Sequence, residues 1–186
     1  ITYTYDLSTR PKAFCNVSYT VFGDGEIKVK MTYDGKSDFS NMPAFGMTWK
    51  VPADYENLEW YGNGPWETYG DRKHGARLGI FSNKVKDNVA AYVIPQECGN
   101  KTDVRWAKVT DNQGFGLEIV AKENIELSAL PYTSHELENA YHHYELPPVH
   151  HTVITVNKKQ MGVGGDDSWG APVLPEYLLP GNQPIE

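Results

Sequence analysis

Val21-Phe22-Gly23-Asp24-Gly25-Glu26-Ile27-Lys28-Val29-Lys30-Met31-Thr32-Tyr33 holds two strand-like runs hinged on Gly-Asp-Gly. Ile27, Val29, Met31 and Tyr33 alternate with Glu26, Lys28, Lys30 and Thr32, the period-two pattern of a strand with one buried face. Gly23 and Gly25 tolerate the positive φ angles of a tight turn, so an antiparallel hairpin is predicted. The same texture continues in both directions. Residues 1–6 and 16–22 alternate β-branched or aromatic residues with polar ones, and residues 44–51, 58–61, 78–89, 104–110, 115–121, 125–130 and 151–157 read as further β pieces. Turns are expected at residues 52–57 and 111–114. Only residues 134–144 have a helical pattern: Ser134 is placed to cap, Leu137, Ala140, Tyr141 and Tyr144 recur at three- and four-residue intervals, and Pro147 and Pro148 follow. No repeat, low-complexity tract or linker divides the chain. Residues 1–186 therefore read as a single all-β domain of the sandwich or barrel class, with at most one or two short helices.

Charge and composition exclude several functions. The 186 residues carry 17 basic and 24 acidic side chains, a net charge of −7. A surface for duplex nucleic acid or an anionic membrane needs a basic face, and no basic run exceeds Lys158-Lys159. No nucleic-acid partner is expected. No apolar run approaches the roughly 20 residues of a membrane span, so no membrane partner is expected and the chain reads as soluble. Its compartment, cytoplasmic or periplasmic, stays open. Cys15 and Cys98 are far apart and lack metal-ligand spacing, which favours two buried thiols over a disulfide. A chain that opens inside a strand pattern is expected to be part of a longer protein.

Chemistry concentrates in three irregular, polar stretches. Residues 162–172, Gly-Val-Gly-Gly-Asp-Asp-Ser-Trp-Gly-Ala-Pro, put Asp166, Asp167, Ser168 and Trp169 on a glycine-rich loop. Carboxylates and a hydroxyl beside an aromatic plane suit a sugar, which has hydroxyls at its rim and C–H bonds on its face. The same residues also describe a tight loop whose Trp169 fills core while its aspartates cap backbone amides. Residues 61–73 are too irregular for a strand and too glycine-rich for a helix. There Arg72, with Glu67 and Asp71 nearby, forms either a charge-paired latch or part of a polar ligand surface. Residues 93–106 are the third stretch.

No catalytic constellation emerges. Glycoside hydrolysis needs two carboxylates about 5 to 5.5 Å apart for retention or about 6.5 to 9.5 Å apart for inversion. Glu67, Asp71, Glu97, Asp103, Asp166 and Asp167 are all candidates, and Asp166 with Asp167 is the poorest pair because neighbours on an extended loop point apart. His142, His143, His150 and His151 lie close together but lack metal-ligand spacing, and two aspartates fall far short of a calcium shell. No nucleophile elbow, Cys/His arrangement or phosphate-cradling turn is present. Catalytic residues are therefore assigned to none of this chain, and neither is a metal.

Three motifs in one order carry a family resemblance. Trp60-Tyr61-Gly62-Asn63-Gly64-Pro65-Trp66-Glu67-Thr68-Tyr69-Gly70-Asp71-Arg72, then Tyr92-Val93-Ile94-Pro95-Gln96-Glu97-Cys98-Gly99-Asn100-Lys101-Thr102-Asp103-Val104-Arg105-Trp106, then residues 161–169, resemble the C-terminal small-chain domain, domain 5, of bacterial glycoside hydrolase family 2 β-galactosidases. The resemblance is looser before Asn57. It departs at Cys98, where the family usually has Asn, and at Gly70, where it usually has Pro. It implies a galactose-mutarotase-like β-supersandwich, truncated here relative to the family by a further N-terminal portion and a last aromatic strand, which would leave open sheet edges or an exposed apolar face.

The resemblance also implies a role. In the family the catalytic glutamates lie in a separate (β/α) barrel domain, and nothing here matches it. The Trp of the Gly-Gly-Asp-Asp-Ser-Trp motif, Trp169 here, stacks on sugar at the pocket mouth, with Asp166, Asp167 and Ser168 beside it as substrate-binding candidates. The implied partners are the other domains of a parent glycosidase, above all its barrel, and a galactoside. Family members use Mg²⁺, Na⁺ or Ca²⁺, and no cofactor or ion ligand is assignable in this chain. Two other classes fit the residues: a stand-alone carbohydrate-binding module presenting Trp60, Trp66 and Trp169, and an aldose mutarotase or epimerase using His135 or His74 with Glu97 as acid and base.

Overall fold

The computed structural model describes residues 1–186 as two antiparallel sheets, with one α-helical turn and three 3₁₀ turns. The class is the all-β one expected. A three-stranded sheet pairs β1 (Thr2–Leu7), β2 (Ala13–Val21) and β3 (Ile27–Tyr33) in that order. A six-stranded sheet uses β4 (Ala44–Pro52), β5 (Asn57–Gly64), β6 (Arg77–Lys84), β7 (Lys101–Thr110), β8 (Gly116–Leu130) and β9 (His151–Gln160) in the order β4-β9-β8-β7-β5-β6.

The Gly-Asp-Gly hinge does what its residues dictate. Gly25 has φ +94°, the Asp24 carboxylate accepts the Glu26 N–H at 3.0 Å, and Val21 pairs with Ile27 as the first rung of the hairpin. Directly opposed residues share a face, so Tyr3 with Val17 and Tyr5 with Cys15 put the apolar side chains of this sheet together. Ala13, Cys15, Val17 and Tyr33 are buried there with Phe45 and Leu179. Towards the hairpin the same face is open, with Tyr3, Tyr5, Val21, Ile27 and Val29 exposed. The Tyr33 hydroxyl, donating to the Gly181 carbonyl at 2.7 Å, and backbone pairing of Tyr33 with Ile185 tie the C-terminal segment to β3.

The larger core lies on one face of the six-stranded sheet. Strict alternation along β5 sends Leu58 and Trp60 into it, where they meet Val104, Ala107, Val109, Leu127, Ala129 and Ile154. Truncating one of these leucines should cost about 2 to 5 kcal/mol. On the opposite face Tyr61 lies beside Trp106, ring centroids 6.5 Å apart, with Arg105 and Lys108 over the two rings.

Five expectations need correction. Residues 115–121 and 125–130 belong to one strand, β8, because the polar Lys122-Glu123-Asn124 run crosses the irregular pairing of β7 with β8 without leaving the ladder. Strand β5 continues past Tyr61 to Gly64, and β7 starts at Lys101, ahead of Val104, where the buried Thr102 is hydrogen-bonded internally to Thr68. The helix, α1 (Ser134–Glu138), is shorter than its periodicity predicts. Its cap is Thr133, whose Oγ1 accepts the Glu136 N–H at 3.1 Å while the Glu136 carboxylate accepts the Thr133 N–H at 2.7 Å; Ser134 is the first helical residue.

Candidate functional site

Beyond Gly64 the chain turns back on itself as a bracket built from polar contacts. The Tyr69 N–H donates to the Arg72 carbonyl at 3.1 Å and the Arg72 N–H to the Tyr69 carbonyl at 3.0 Å, which leaves Gly70 and Asp71 at the tip of a tight turn. Glu67 sits at the root. Its Oε1 accepts from Arg72 Nη2 at 2.5 Å and from the Tyr92 hydroxyl, and its Oε2 accepts the Gly99 N–H at 2.8 Å. The guanidinium also donates to the Tyr92 oxygen at 2.6 Å and lies over the Tyr69 ring. Burial alone would lower the Arg72 pKa, but the Tyr92 hydrogen bond and the Glu67 charge outweigh it and the net shift is upward. The arginine stays charged and the joint stays closed.

The second polar stretch is stitched to the first. Thr68 Oγ1 accepts the Thr102 N–H at 2.8 Å, Asn100 Nδ2 donates to the Thr68 carbonyl at 3.0 Å and to Glu126 Oε2 at 2.8 Å, and the buried Tyr69 donates its hydroxyl to Glu97 at 3.3 Å. Burial raises the Tyr69 pKa and keeps that hydroxyl a donor.

Asp71, at the tip, holds the glycine loop. Its Oδ1 accepts the Val163 N–H at 3.1 Å and its Oδ2 the Gly164 N–H at 2.8 Å. The loop is closed at its neck by Gly162 N–H to the Tyr177 carbonyl at 2.9 Å and Gly165 N–H to the Ala171 carbonyl at 3.1 Å. Gly164 and Gly165 adopt φ +63° and +76°, a backbone that side chains with a Cβ resist. Within the loop, Asp167 Oδ1 accepts the N–H of Trp169 at 2.8 Å and of Ala171 at 3.1 Å. Trp169 projects from this frame with 92% of its surface exposed. That excludes the core-filling reading of Trp169, and the aspartates divide their work: Asp167 caps amides, whereas Asp166 and Ser168 stand exposed on the same loop without a side-chain hydrogen bond. An open cleft of about 420 Å³ lies against the bracket, lined by Gly64, Trp66, Glu67, Arg72, Lys73 and His74. Trp66 is 80% exposed at its edge.

The other candidates separate. Glu67 and Asp71 are committed as described, and Asp103 accepts from Asn63 Nδ2 at 2.7 Å. The charge-paired latch expected of Arg72 exists with Glu67; Asp71 pairs with the loop amides instead. His142 stacks on Tyr144, His143 Nε2 lies 2.7 Å from the Tyr92 carbonyl, and His151 lies 3.6 Å from Glu136, so these histidines serve separate places. His74 lines the cleft, whereas His135 sits on α1, and Glu97 meets Tyr69. Two features escape sequence reasoning: the Tyr92 joint and the grip of Asp71 on Val163, a partner 92 residues away. The only local signal was the irregularity of the two stretches that carry them.

The whole chain, residues 1–186, matches the family model described as β-galactosidase small chain. A β-galactosidase of Halalkalibacterium halodurans is 50% identical across 100% of the chain, which corresponds to 19% of that protein. A β-galactosidase of Priestia megaterium is 47% identical over 92% of the chain and 16% of its own length. The β-galactosidase small subunit of Latilactobacillus sakei is 35% identical over 98% of the chain and 60% of the subunit. The chain thus spans less than a fifth of the length of these two large relatives. No helix is long and apolar enough to cross a membrane.

Proposed function

The chain belongs to the β-galactosidase small-chain family, and from that membership we propose that it works as an accessory domain of an enzyme hydrolysing terminal β-D-galactosides. In this reading a separate barrel domain contributes the catalytic glutamates, and this chain completes the pocket. The parent enzyme is the hydrolase, of glycoside hydrolase family 2, and the chain by itself is inactive. Trp169 gives the sugar a stacking plane, and Asp166, Asp167 and Ser168 border it.

The observation that carries the proposal is the exposure of Trp169 on a loop fastened from outside and within. Keeping an indole in water forgoes roughly 1.5 to 3 kcal/mol of burial, which a core tryptophan would have gained. A platform of this kind orients the sugar and sheds water from its face; it does no proton transfer. Replacing Trp169 by Ala in the full-length enzyme should raise KM about three- to tenfold while leaving Tm unchanged. A lowered Tm with unchanged kinetics would overturn it.

One observation favours a second reading. Trp66 and Trp169 are 80% and 92% exposed, as a free-standing carbohydrate-binding module requires, but Trp60, the third ring expected of that platform, is buried in the core and drops out of it. Hydrolysis of a chromogenic β-galactoside separates the two. Activity that appears only when this chain is mixed with a family chain lacking its small domain supports the accessory role. Silence of the mixture, with glycan binding by the chain alone, supports the module.

A further inference from the structure

We infer that Asp71 is the positioning residue of the Trp169 loop: the bracket of residues 65–73 exists to hold one carboxylate against the Val163 and Gly164 amides, and so to fix where the indole stands. This deepens the accessory-domain proposal and rests on its reading of Trp169.

Both ends of the link are specific. On the loop side, two successive N–H groups point to one carboxylate, one to each oxygen, at 3.1 and 2.8 Å. Charge-assisted hydrogen bonds of this kind are roughly twice as strong as neutral ones, and a pair fixes direction as well as distance. Gly162 enforces the approach, since a Cβ there would lie 2.3 Å from Asp71 Oδ2. On the bracket side, the turn that presents Asp71 is closed by the reciprocal Tyr69 and Arg72 backbone bonds, and Arg72 is in turn locked to Glu67 and Tyr92. The carboxylate is thereby carried on a rigid mount. Inside the loop, Asp167 passes the constraint on by accepting the Trp169 N–H itself. Asp71 holds the Val163 and Gly164 amides, the next residue Gly165 donates to the Ala171 carbonyl, and Asp167 accepts the N–H groups of both Ala171 and Trp169, so a continuous path of contacts runs from the bracket to the exposed indole.

A loop this rich in glycine would otherwise sample many conformations, and each stacking event would have to select one of them. The link removes that cost before the sugar arrives. Loss of Asp71 should therefore weaken substrate binding through this loop, chiefly through Trp169.

The test uses the full-length enzyme containing this chain, with Asp71→Ala, Asp71→Asn, Trp169→Ala and the Asp71→Ala/Trp169→Ala double variant. Amide hydrogen exchange over residues 162–171 should quicken about tenfold in Asp71→Ala. It should quicken less in Asp71→Asn, which keeps one acceptor oxygen and the same shape. KM should rise in Asp71→Ala with kcat nearly constant, and Asp71→Ala should add little to KM once Trp169 is gone. Unchanged loop exchange overturns the inference, as does a KM increase that is the same with and without Trp169. If Trp169→Ala leaves KM unaltered, the stacking role falls, and faster exchange in the Asp71 variants still supports the positioning link. Should Asp71→Ala fail to fold, the isosteric Asn variant is read by the same exchange measurement.

Discussion

The ammonium of Lys101 lies 5.0 Å from the centre of the Trp60 ring, and the lysine is 2% exposed at the start of β7. Burial is the largest influence on it and brings its pKa down from 10.5 to about 8, against the opposing charge of Glu67. Below about pH 8 the side chain is protonated in both folded and unfolded states, so the folded protein bears the full desolvation cost. As pH rises from about 8 to 10.5 the folded protein gives up its proton while the unfolded chain keeps it, and this cost is relieved, on the order of 3 kcal/mol in all. Lys101→Met should therefore be more stable than the parent chain at pH 7, less the attraction of cation to ring, and the gap should close by pH 10. Urea unfolding of both proteins across that range checks it, and a gap independent of pH would show that burial does not lower the pKa of this lysine.

The cysteines make a separate prediction. Cys15 and Cys98 are free and buried, in two different apolar clusters, and burial raises both thiols, Cys98 from 9.0 to about 11. Thiol reagents need an accessible thiolate. At pH 8 the native protein should label slowly at both positions, and the unfolded protein should give two rapid equivalents of thiol. Fast native labelling, or no free thiol after unfolding, would contradict the two clusters. Because the unfolded thiols ionise first, Cys98 also takes stability away as pH rises from about 9 to 11, opposite in sign to Lys101. Only the difference between parent and Lys101→Met isolates the lysine.

Glu67 is the joint on which the bracket turns, with its side chain 16% exposed and three donors converging on two oxygens. Glu67→Gln keeps the shape but puts an NH₂ where one of those oxygens was, so at least one donor among Arg72, Tyr92 and the Gly99 N–H must face another donor. The expected loss is about 2 to 3 kcal/mol, from one broken charge-assisted bond and one partly buried group left unpaired. Chemical denaturation measures it. A loss below about 0.5 kcal/mol would mean that water satisfies the joint and that the bracket is softer than its contacts imply.

Much of the fold was legible because period-two alternation is a direct imprint of one-sided burial. The hairpin at residues 21–33 and strands β4 and β9 lie where their side chains put them. Legibility failed where buried residues are polar. Lys101 and Thr102 open β7 as buried residues that lie against the Trp60 ring and Thr68, partners that no local pattern announces. Leu137 and Ala140 are buried as the helical spacing predicts, but Tyr141 and Tyr144 are exposed, so the second half of that pattern had no core to hold a helix together. At the site, residue types placed Asp166, Asp167, Ser168 and Trp169 on one loop. They did not decide between core and solvent for Trp169, since that depends on what stands across from the loop.

Two glycines of that loop separate space from backbone conformation. Gly162 has an ordinary φ, but a Cβ on it would fall 2.3 Å from Asp71 Oδ2 and 2.9 Å from the Tyr177 Cβ, so Ala at this position must push the loop off its mount. Gly165 has open space around it and φ +76°, so Ala there meets nothing and bears only the left-handed backbone cost, about 1 to 2 kcal/mol. Gly162→Ala should therefore quicken exchange at Val163 and Gly164 and raise KM in the full-length enzyme as Asp71→Ala does, whereas Gly165→Ala should lower local stability and leave the Asp71 contacts in place. Hydrogen exchange resolved to single amides distinguishes them. Equal behaviour of the two variants would mean that the loop responds to backbone strain alone, and that the carboxylate at its neck holds nothing in position.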